Sequence, residues 1–355
     1  MSHYINKKFW NKKRVFITGH TGFKGSWLCI ILRYLNSNIY GLSLKPEKKS
    51  LFVKSNIEKE LSSNYYSDIN NLKKTKKFVK KCKPEIIFHL AAQPLVIDSF
   101  DNPIKTFNTN TIGTLNLLES IRKVKSVKSV VIITTDKVYE ISKKNKSYKE
   151  TDRLGGVDPY SSSKAAAELI VKSYVKSFFN NTHLKNKVST VRAGNVIGGG
   201  DFSKNRLIPD IIKSLNNKTT LKVRNPNHIR PWQHVIDPLF GYLTLAEKQY
   251  KGSVNKNSFT WNFGPENKNF QKVIKIIKLI QKKRYFKYSV VKSKKIETQV
   301  LKLNSKKANK KLRWQSKWNL NQSVEKVLEW NFMVNNGISV KKVCEKQLMM
   351  YIYNK

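Results

Sequence analysis

Apolar positions in this chain fall into short runs that alternate with stretches of helical spacing. Arg14–Gly19 (RVFITG) is a short apolar run ending in glycine, as expected of a parallel strand buried on both faces. Ser26–Leu35 has apolar residues at helical spacing, and Ile39–Leu44 is a second strand pattern. Tyr65–Ile69 gives a third strand. Leu72–Cys82 follows as an amphipathic helix that Pro84 stops. Glu85–Ala92 (EIIFHLAA) and Ser129–Thr135 (SVVIITT) are further buried strands, separated by a helical pattern over Ile104–Lys123 after Pro103. Pro159–Phe179 is a long helix with proline at its first position, where a missing N–H costs nothing. Val188–Val196 completes the series as a strand.

This alternation predicts βαβ units and an α/β fold: a Rossmann-like, doubly wound parallel sheet. Beyond Gly198 the pattern becomes mixed. The expected division is a dinucleotide-binding domain over 1–198 and a smaller mixed α/β C-terminal substrate lobe over 199–355, some of whose segments return to the first domain. No internal repeat and no long Pro/Gly/Ser linker interrupts the chain.

At 355 residues, with 39% hydrophobic content and seven tryptophans, the chain has material for a large core. No apolar run approaches the roughly 18–20 residues that span a bilayer. The N-terminal segment Met1–Asn11 lacks the apolar stretch of a secretory signal. Cys29, Cys82 and Cys344 are too widely spaced for a disulfide framework or a zinc site. A cytoplasmic protein without a bound metal or a membrane partner is expected. The net charge of +46 is the one unusual bulk property. Its lysines are scattered, arginines are few, and no aromatic-interleaved basic motif appears, so a nucleic-acid partner is not expected. A positive field would help steer an anionic substrate.

Gly19–Gly25 (GHTGFKG) has the form GxxGxxG, directly after a strand and opening a helix. Gly19 allows the tight turn, Gly22 admits a pyrophosphate, and Gly25 permits close helix–sheet packing. The helix N-terminus adds N–H donors and partial positive charge. No acid ends the second strand, where Leu44 is followed by Lys45 and Pro46. That pattern leaves NAD and NADP both open. Asp68, followed by Ile69, either contacts the adenine or caps the helix at Leu72.

Tyr160-Ser-Ser-Ser-Lys164 places a phenol and an ammonium on one helix face. A nearby cation favours the phenolate and lowers its pKa from about 10. Such a tyrosine accepts a proton from an alcohol undergoing oxidation.

GHTGFKG, HLAAQP (His89–Pro94) and DPYSSSK (Asp158–Lys164) together resemble the extended short-chain dehydrogenase/reductase family, over nearly the whole chain. The resemblance implies NAD as cofactor, held by Gly19, Thr21, Gly22, Phe23 and Gly25, by Asp68 and Ile69, by Leu90, Ala91 and Ala92, and by Tyr160 and Lys164. It implies a nucleotide sugar as substrate and a homodimer or homotetramer. Within the family, TTDKVY (Thr134–Tyr139) resembles the nucleotide-sugar 4,6-dehydratases, which carry an acid followed by Glu or Lys, and not the epimerases. The lysine, with RAGNVIGGGDF (Arg192–Phe202) and RNPNHIRPWQHV (Arg224–Val235), resembles the branch acting on CDP-glucose. Thr135 and Tyr160 are then expected at the sugar 4-hydroxyl, Asp136 as general acid, and Lys137 as the base at C5. Because neighbouring strand residues face opposite ways, Asp136 and Lys137 serve one site only if the chain has left the strand there. By the same resemblance Asn195, Arg206 and Arg230 contact the nucleotide sugar, and Gln93 and Ser99 lie near the hexose. Ile97 departs from the arginine of the family pattern. His89, His234 and Asp237 are expected to be structural. The competing expectations are a 4,6-dehydratase of another nucleotide sugar and a Rossmann-fold regulator that has lost activity; the set Thr135, Asp136, Lys137, Tyr160 and Lys164 argues against the regulator.

Overall fold

The computed structural model describes residues 5–141, 146–254, 259–292 and 298–353. Its centre is a seven-stranded sheet in which every pairing is parallel. The strands are β1 (Arg14–Thr18), β2 (Asn38–Ser43), β3 (Ser63–Tyr66), β4 (Ile86–His89), β5 (Ser129–Ile133), β6 (Val188–Ala193) and a last one, Thr260–Phe263. The order across the sheet is β3-β2-β1-β4-β5-β6, with Thr260–Phe263 on the outer side of β6. Strand order reverses between β1 and β4, which opens a crevice at the carboxyl ends of the strands.

The strands are buried because both faces are covered. Every residue of β4, β5 and β6 is buried. Alternate side chains feed two cores: Val15 and Ile17 of β1 enter one, and Phe16 enters the other. The first core takes the helix Phe23–Tyr34 together with Ile236–Tyr250 and Val340–Tyr353. The second takes Leu72–Cys82, Gly113–Ile121 and Pro159–Tyr174. A separate core under the C-terminal lobe joins Ile208 and Ile211 to Ile276, Ile277, Ile280 and Val324.

Several boundaries differ from the sequence pattern, each for a local reason. The stretch read as one helix over Ile104–Lys123 is Pro103–Phe107, a π turn Asn108–Ile112, and Gly113–Ile121. At the π turn the buried Asn110 donates to the Gln93 carbonyl (3.1 Å) and to Ser163 Oγ (2.9 Å), and accepts from the Gln93 N–H (2.9 Å). A π turn inserts one residue and re-aims a side chain. The long helix is α-helical only over Pro159–Tyr174 and continues as a π turn, Val175–Phe179. Val96–Asp101 is a short helix the pattern did not show. Residues of the second half return to the first sheet: Thr260–Phe263 pairs with β6, and Ile236–Tyr250 packs behind β5.

Among the described residues no helix is long and apolar enough to cross a membrane, and no group of three His, Cys, Asp or Glu residues is placed to hold a metal. Cys29, Cys82 and Cys344 are buried free thiols.

Asp237 is fully buried, as is His234. Its Oδ1 accepts from the Lys317 N–H (2.6 Å) and the Tyr351 hydroxyl (2.8 Å). Burial raises its pKa from the usual carboxylate range to about 7. An acid with a raised folded-state pKa contributes stability that is complete below its unfolded pKa and is lost as pH rises through the folded value. Thermal unfolding should therefore show Tm falling between about pH 4 and pH 7 through this group, and Asp237→Asn should flatten that slope. An unchanged slope in the variant would assign the pH dependence elsewhere.

Candidate active site

The carboxyl ends of β1, β4, β5 and β6 open into a cavity of about 1120 Å³ that runs on beneath the C-terminal lobe. At one end lies the glycine turn after β1. Gly19 has φ +74, and a Cβ there would sit 2.5 Å from the Ala91 amide nitrogen. Gly22 is the N-cap of Phe23–Tyr34 and supplies no side-chain bond to the helix. The first-turn N–H groups thus face the cavity without a side-chain cap, the arrangement that receives a pyrophosphate. A Cβ on Gly25 would collide with the Gly19 carbonyl and approach His20 Cα to 2.6 Å. Gly25→Ala is expected to cost ~1–3 kcal/mol of stability and to loosen this turn. Thermal unfolding alongside a dinucleotide titration would check it, and native-like affinity in the variant would refute the tight-packing account.

Thr21 lies beside the end of β2, its hydroxyl 2.7 Å from Ser43 Oγ and 3.2 Å from the Leu44 carbonyl. Gly19, Thr21, Gly22, Phe23 and Gly25 line the cavity, and so do Asp68, Ile69, Leu90, Ala91 and Ala92. The helix at Leu72 is capped by Asn71, whose Oδ1 accepts from the Lys74 N–H (2.9 Å). Asp68 is exposed at the rim and accepts from the Asn70 N–H (2.8 Å). These groups fit the adenosine and pyrophosphate half of a dinucleotide.

The middle of the cavity carries the acid–base groups. β5 ends at Ile133, and Asp136–Val138 forms a 3-10 turn capped by Thr135, so the chain has left the strand. Thr135, Asp136 and Lys137 all line the cavity. Asp136 is buried, its Oδ1 accepts from Thr135 Oγ1 (3.1 Å), and its Oδ2 has no hydrogen-bond partner among the described residues. Burial raises its pKa, while Lys137 and Arg230 pull it down. An acid held in that balance can keep a proton to give away.

Tyr160 and Lys164 reach the same wall from Pro159–Tyr174, with Tyr160 bonded to Thr135. The lowered phenol pKa expected from the spacing is not observed. Burial pushes Tyr160 up to about 12, with Thr135 and Arg206 pulling back. Lys164 donates to the Ile133 carbonyl (3.1 Å), and burial beside Lys24 lowers it to about 8. Beneath them, buried Glu168 accepts from Thr134 Oγ1 (2.6 Å) and Arg192 Nε (2.8 Å), tying the end of β5 to this helix and to β6. His89 is buried between Thr18 (2.6 Å) and Thr114 (3.1 Å) and braces β4 against β1.

At the far end Asn195, Arg206 and Arg230 line the cavity. Arg230 is buried, donating to the carbonyls of Ile229 (2.9 Å) and Gln299 (3.1 Å), while Arg206 is one-third exposed. Gln93 and Ser99, expected near the hexose, do not line the cavity. The Gln93 amide is spent on the Leu95 carbonyl (3.1 Å) and Thr106 (3.0 Å), and the Ser99 hydroxyl on the Val96 carbonyl (2.6 Å). Both brace the turn whose neighbours Pro94, Leu95, Val96 and Ile97 form the wall.

Lys24 escaped the sequence reading. It sits in the glycine motif, lines the cavity, and is lowered to about 8 by burial and by Arg206, with Asp136 and Asp201 opposing. The signal was a lysine in the first turn of the helix, between Phe23 and Gly25.

The chain is similar in sequence and in fold to known proteins. The chain is 41% identical over 334 residues to the CDP-glucose 4,6-dehydratase of Salmonella typhimurium, covering 91% of each sequence. It is 30% identical over 256 residues to the dTDP-D-glucose 4,6-dehydratase of Dictyostelium discoideum, covering 68% of this chain and 57% of that one. Its fold matches the crystal structure of dTDP-glucose 4,6-dehydratase from Bacillus anthracis in complex with NAD with a TM-score of 0.76 at 22% identity, covering 93% and 99% of the two chains. The UDP-glucose 4-epimerase of Thermotoga maritima matches with a TM-score of 0.77 at 20% identity, covering 91% and 99%. With a family model matched over residues 16–327, this chain belongs to the GDP-mannose 4,6 dehydratase family.

Proposed function

We propose that this chain is an NAD-dependent hydro-lyase that converts CDP-glucose to CDP-4-dehydro-6-deoxyglucose and water. The observation that carries the reading is the 3-10 turn that brings Asp136 and Lys137 into one cavity with Thr135, Tyr160 and Lys164. The relative at 41% identity supports CDP-glucose as the substrate. NAD, when bound along Gly19–Gly25 and Leu90–Ala92, supplies a reversible acceptor for the hydrogen of C4, which is later returned to C6.

The protein's own groups carry the protons. Thr135 and Tyr160 hold the sugar 4-hydroxyl, and Tyr160 takes its proton as C4 becomes a ketone. The ketone acidifies the C5–H. Lys137 removes that proton, and Asp136 protonates the departing C6 hydroxyl, which leaves as water. A lysine acts as a base only in its neutral form, and Lys137 shares the cavity with Lys24, Arg206 and Arg230. Asn195, Arg206 and Arg230 receive the diphosphate, for which guanidinium forks are suited.

The active form is a homodimer or homotetramer. Ile104 (77% exposed), Phe107, Leu169 and Phe178 leave an apolar surface on neighbouring helical segments that suits two-fold pairing, measurable by light scattering. The compartment is the cytoplasm.

The test of function is turnover of CDP-glucose by the purified protein with added NAD, beside dTDP-, UDP- and GDP-sugars, following the alkali-induced absorbance of the 4-keto product. Product from CDP-glucose is expected. Product from another nucleotide sugar alone would overturn the substrate, and none from any would overturn the enzyme.

A further inference from the structure

An acid in an anion-binding cavity needs a reason, and Asp201 is such an acid. It lines the cavity with its side chain 4% exposed. Its Oδ2 lies 3.2 Å from Arg206 Nη1, and its Oδ1 accepts from the Ser203 N–H (3.1 Å). It also favours the charged form of Lys24, which Arg206 disfavours. One carboxylate thus offsets two cations that would otherwise repel each other.

The carboxylate is held by a rigid support. Asp201 follows Gly198-Gly199-Gly200, and each glycine is walled in. A Cβ on Gly198 would meet Val235 Cγ1 at 2.7 Å, one on Gly199 would collide with the Trp330 ring, and one on Gly200 (φ +81) would meet Leu51 Cδ1 at 2.6 Å. Trp27 Nε1 donates to the Gly199 carbonyl (2.9 Å). By contrast, Arg206 sits at the N-cap of Leu207–Asn217 on a long, partly exposed side chain. An arginine free to rotate loses side-chain entropy when it grips an anion; one already held loses less.

We propose that Asp201 is a positioning residue for the substrate: anchored by the triple-glycine turn, it aims the Arg206 guanidinium at the diphosphate of the nucleotide sugar. This rests on the reading of Arg206 as a diphosphate contact. Asp201→Asn is the informative change, because asparagine keeps an oxygen for the Ser203 N–H and loses both the charge and the acceptor that face Arg206.

The experiment is a double-mutant cycle read as KM and kcat for CDP-glucose with NAD present, or for whichever nucleotide sugar the protein turns over. Asp201→Asn is expected to raise KM roughly tenfold, with the loss confined to KM. Asp201→Glu should recover part of it, and serves if the asparagine variant does not fold. In an Arg206→Ala background the Asp201→Asn change should add nothing. Additive losses, or a KM that falls in Asp201→Asn because a repelling charge has gone, would overturn the positioning role while leaving Arg206 on the substrate. If Arg206→Ala leaves KM where it was, the reading of Arg206 fails and the proposal falls with it.

Discussion

Lys137→Ala is expected to lower product formation by roughly 10²–10⁴, the usual contribution of a positioned acid or base, and to stall the sugar halfway. The variant retains Thr135, Tyr160 and Lys164, the groups at the 4-hydroxyl. C4 should still be oxidised, but the C5 proton has no acceptor and the C6 hydroxyl stays. Bound sugar should therefore accumulate as a 4-ketohexose that retains all its oxygens. Quenching with borodeuteride would place deuterium at C4 of a hexose, whereas the native enzyme gives a 6-deoxyhexose. A variant that makes labelled 6-deoxy product at the native rate would remove Lys137 from the role of base. Because the residue lies on a three-residue turn at the cavity wall, the loss should not come from unfolding, and native-like Tm would confirm this.

Tyr160→Phe should be comparably damaging, with a different signature. The ring keeps its packing against the cavity wall, while the hydroxyl that bonds Thr135 is lost. The sugar should remain an unoxidised hexose, so the borodeuteride quench incorporates no label. Since Lys137→Ala stops the reaction after oxidation and Tyr160→Phe before it, the two together order the steps. Equal labelling in both variants would show that Tyr160 is not the group at C4. Tyr160 stands pushed up to about 12 by its burial, so its readiness to accept a proton depends on charges added around it. Arg206, on the same wall, is the protein's part of that field.

What was legible in the sequence was whatever repeats or requires a special backbone. β1, β4 and β5 carry short apolar runs, whereas β3 (Ser63–Tyr66) is polar and starts two residues before the Tyr65–Ile69 stretch that the pattern predicts; the glycine turn follows β1 and the Tyr160–Lys164 spacing falls on a helix, as the sequence predicts. The domain boundary was less legible, because Thr260–Phe263 is only four residues long and carries no periodicity to mark it as sheet. The π turn at Asn108–Ile112 hid inside a good helical pattern, since one inserted residue is set by the bonds of Asn110 to a distant turn and not by local propensity. The inward bonds of Gln93 and Ser99 were hidden for a related reason. A polar side chain next to a site motif can point inward to satisfy the backbone, and nothing in the spacing says which way it turns. Lys24 and Asp201 each stand beside glycines that explain their segments without them, although both charges line the cavity.

The late return of the chain to its first sheet has a consequence for biosynthesis. During vectorial synthesis β1 to β6 can assemble in order as they emerge, but the outer edge of β6 has no partner until Thr260–Phe263 follows, some 70 residues later. An unpaired, wholly buried-type strand is an invitation to neighbouring nascent chains. Messages truncated between these two points would therefore yield a product that aggregates, not a free nucleotide-binding half, and chaperone demand should be greatest in that interval of translation.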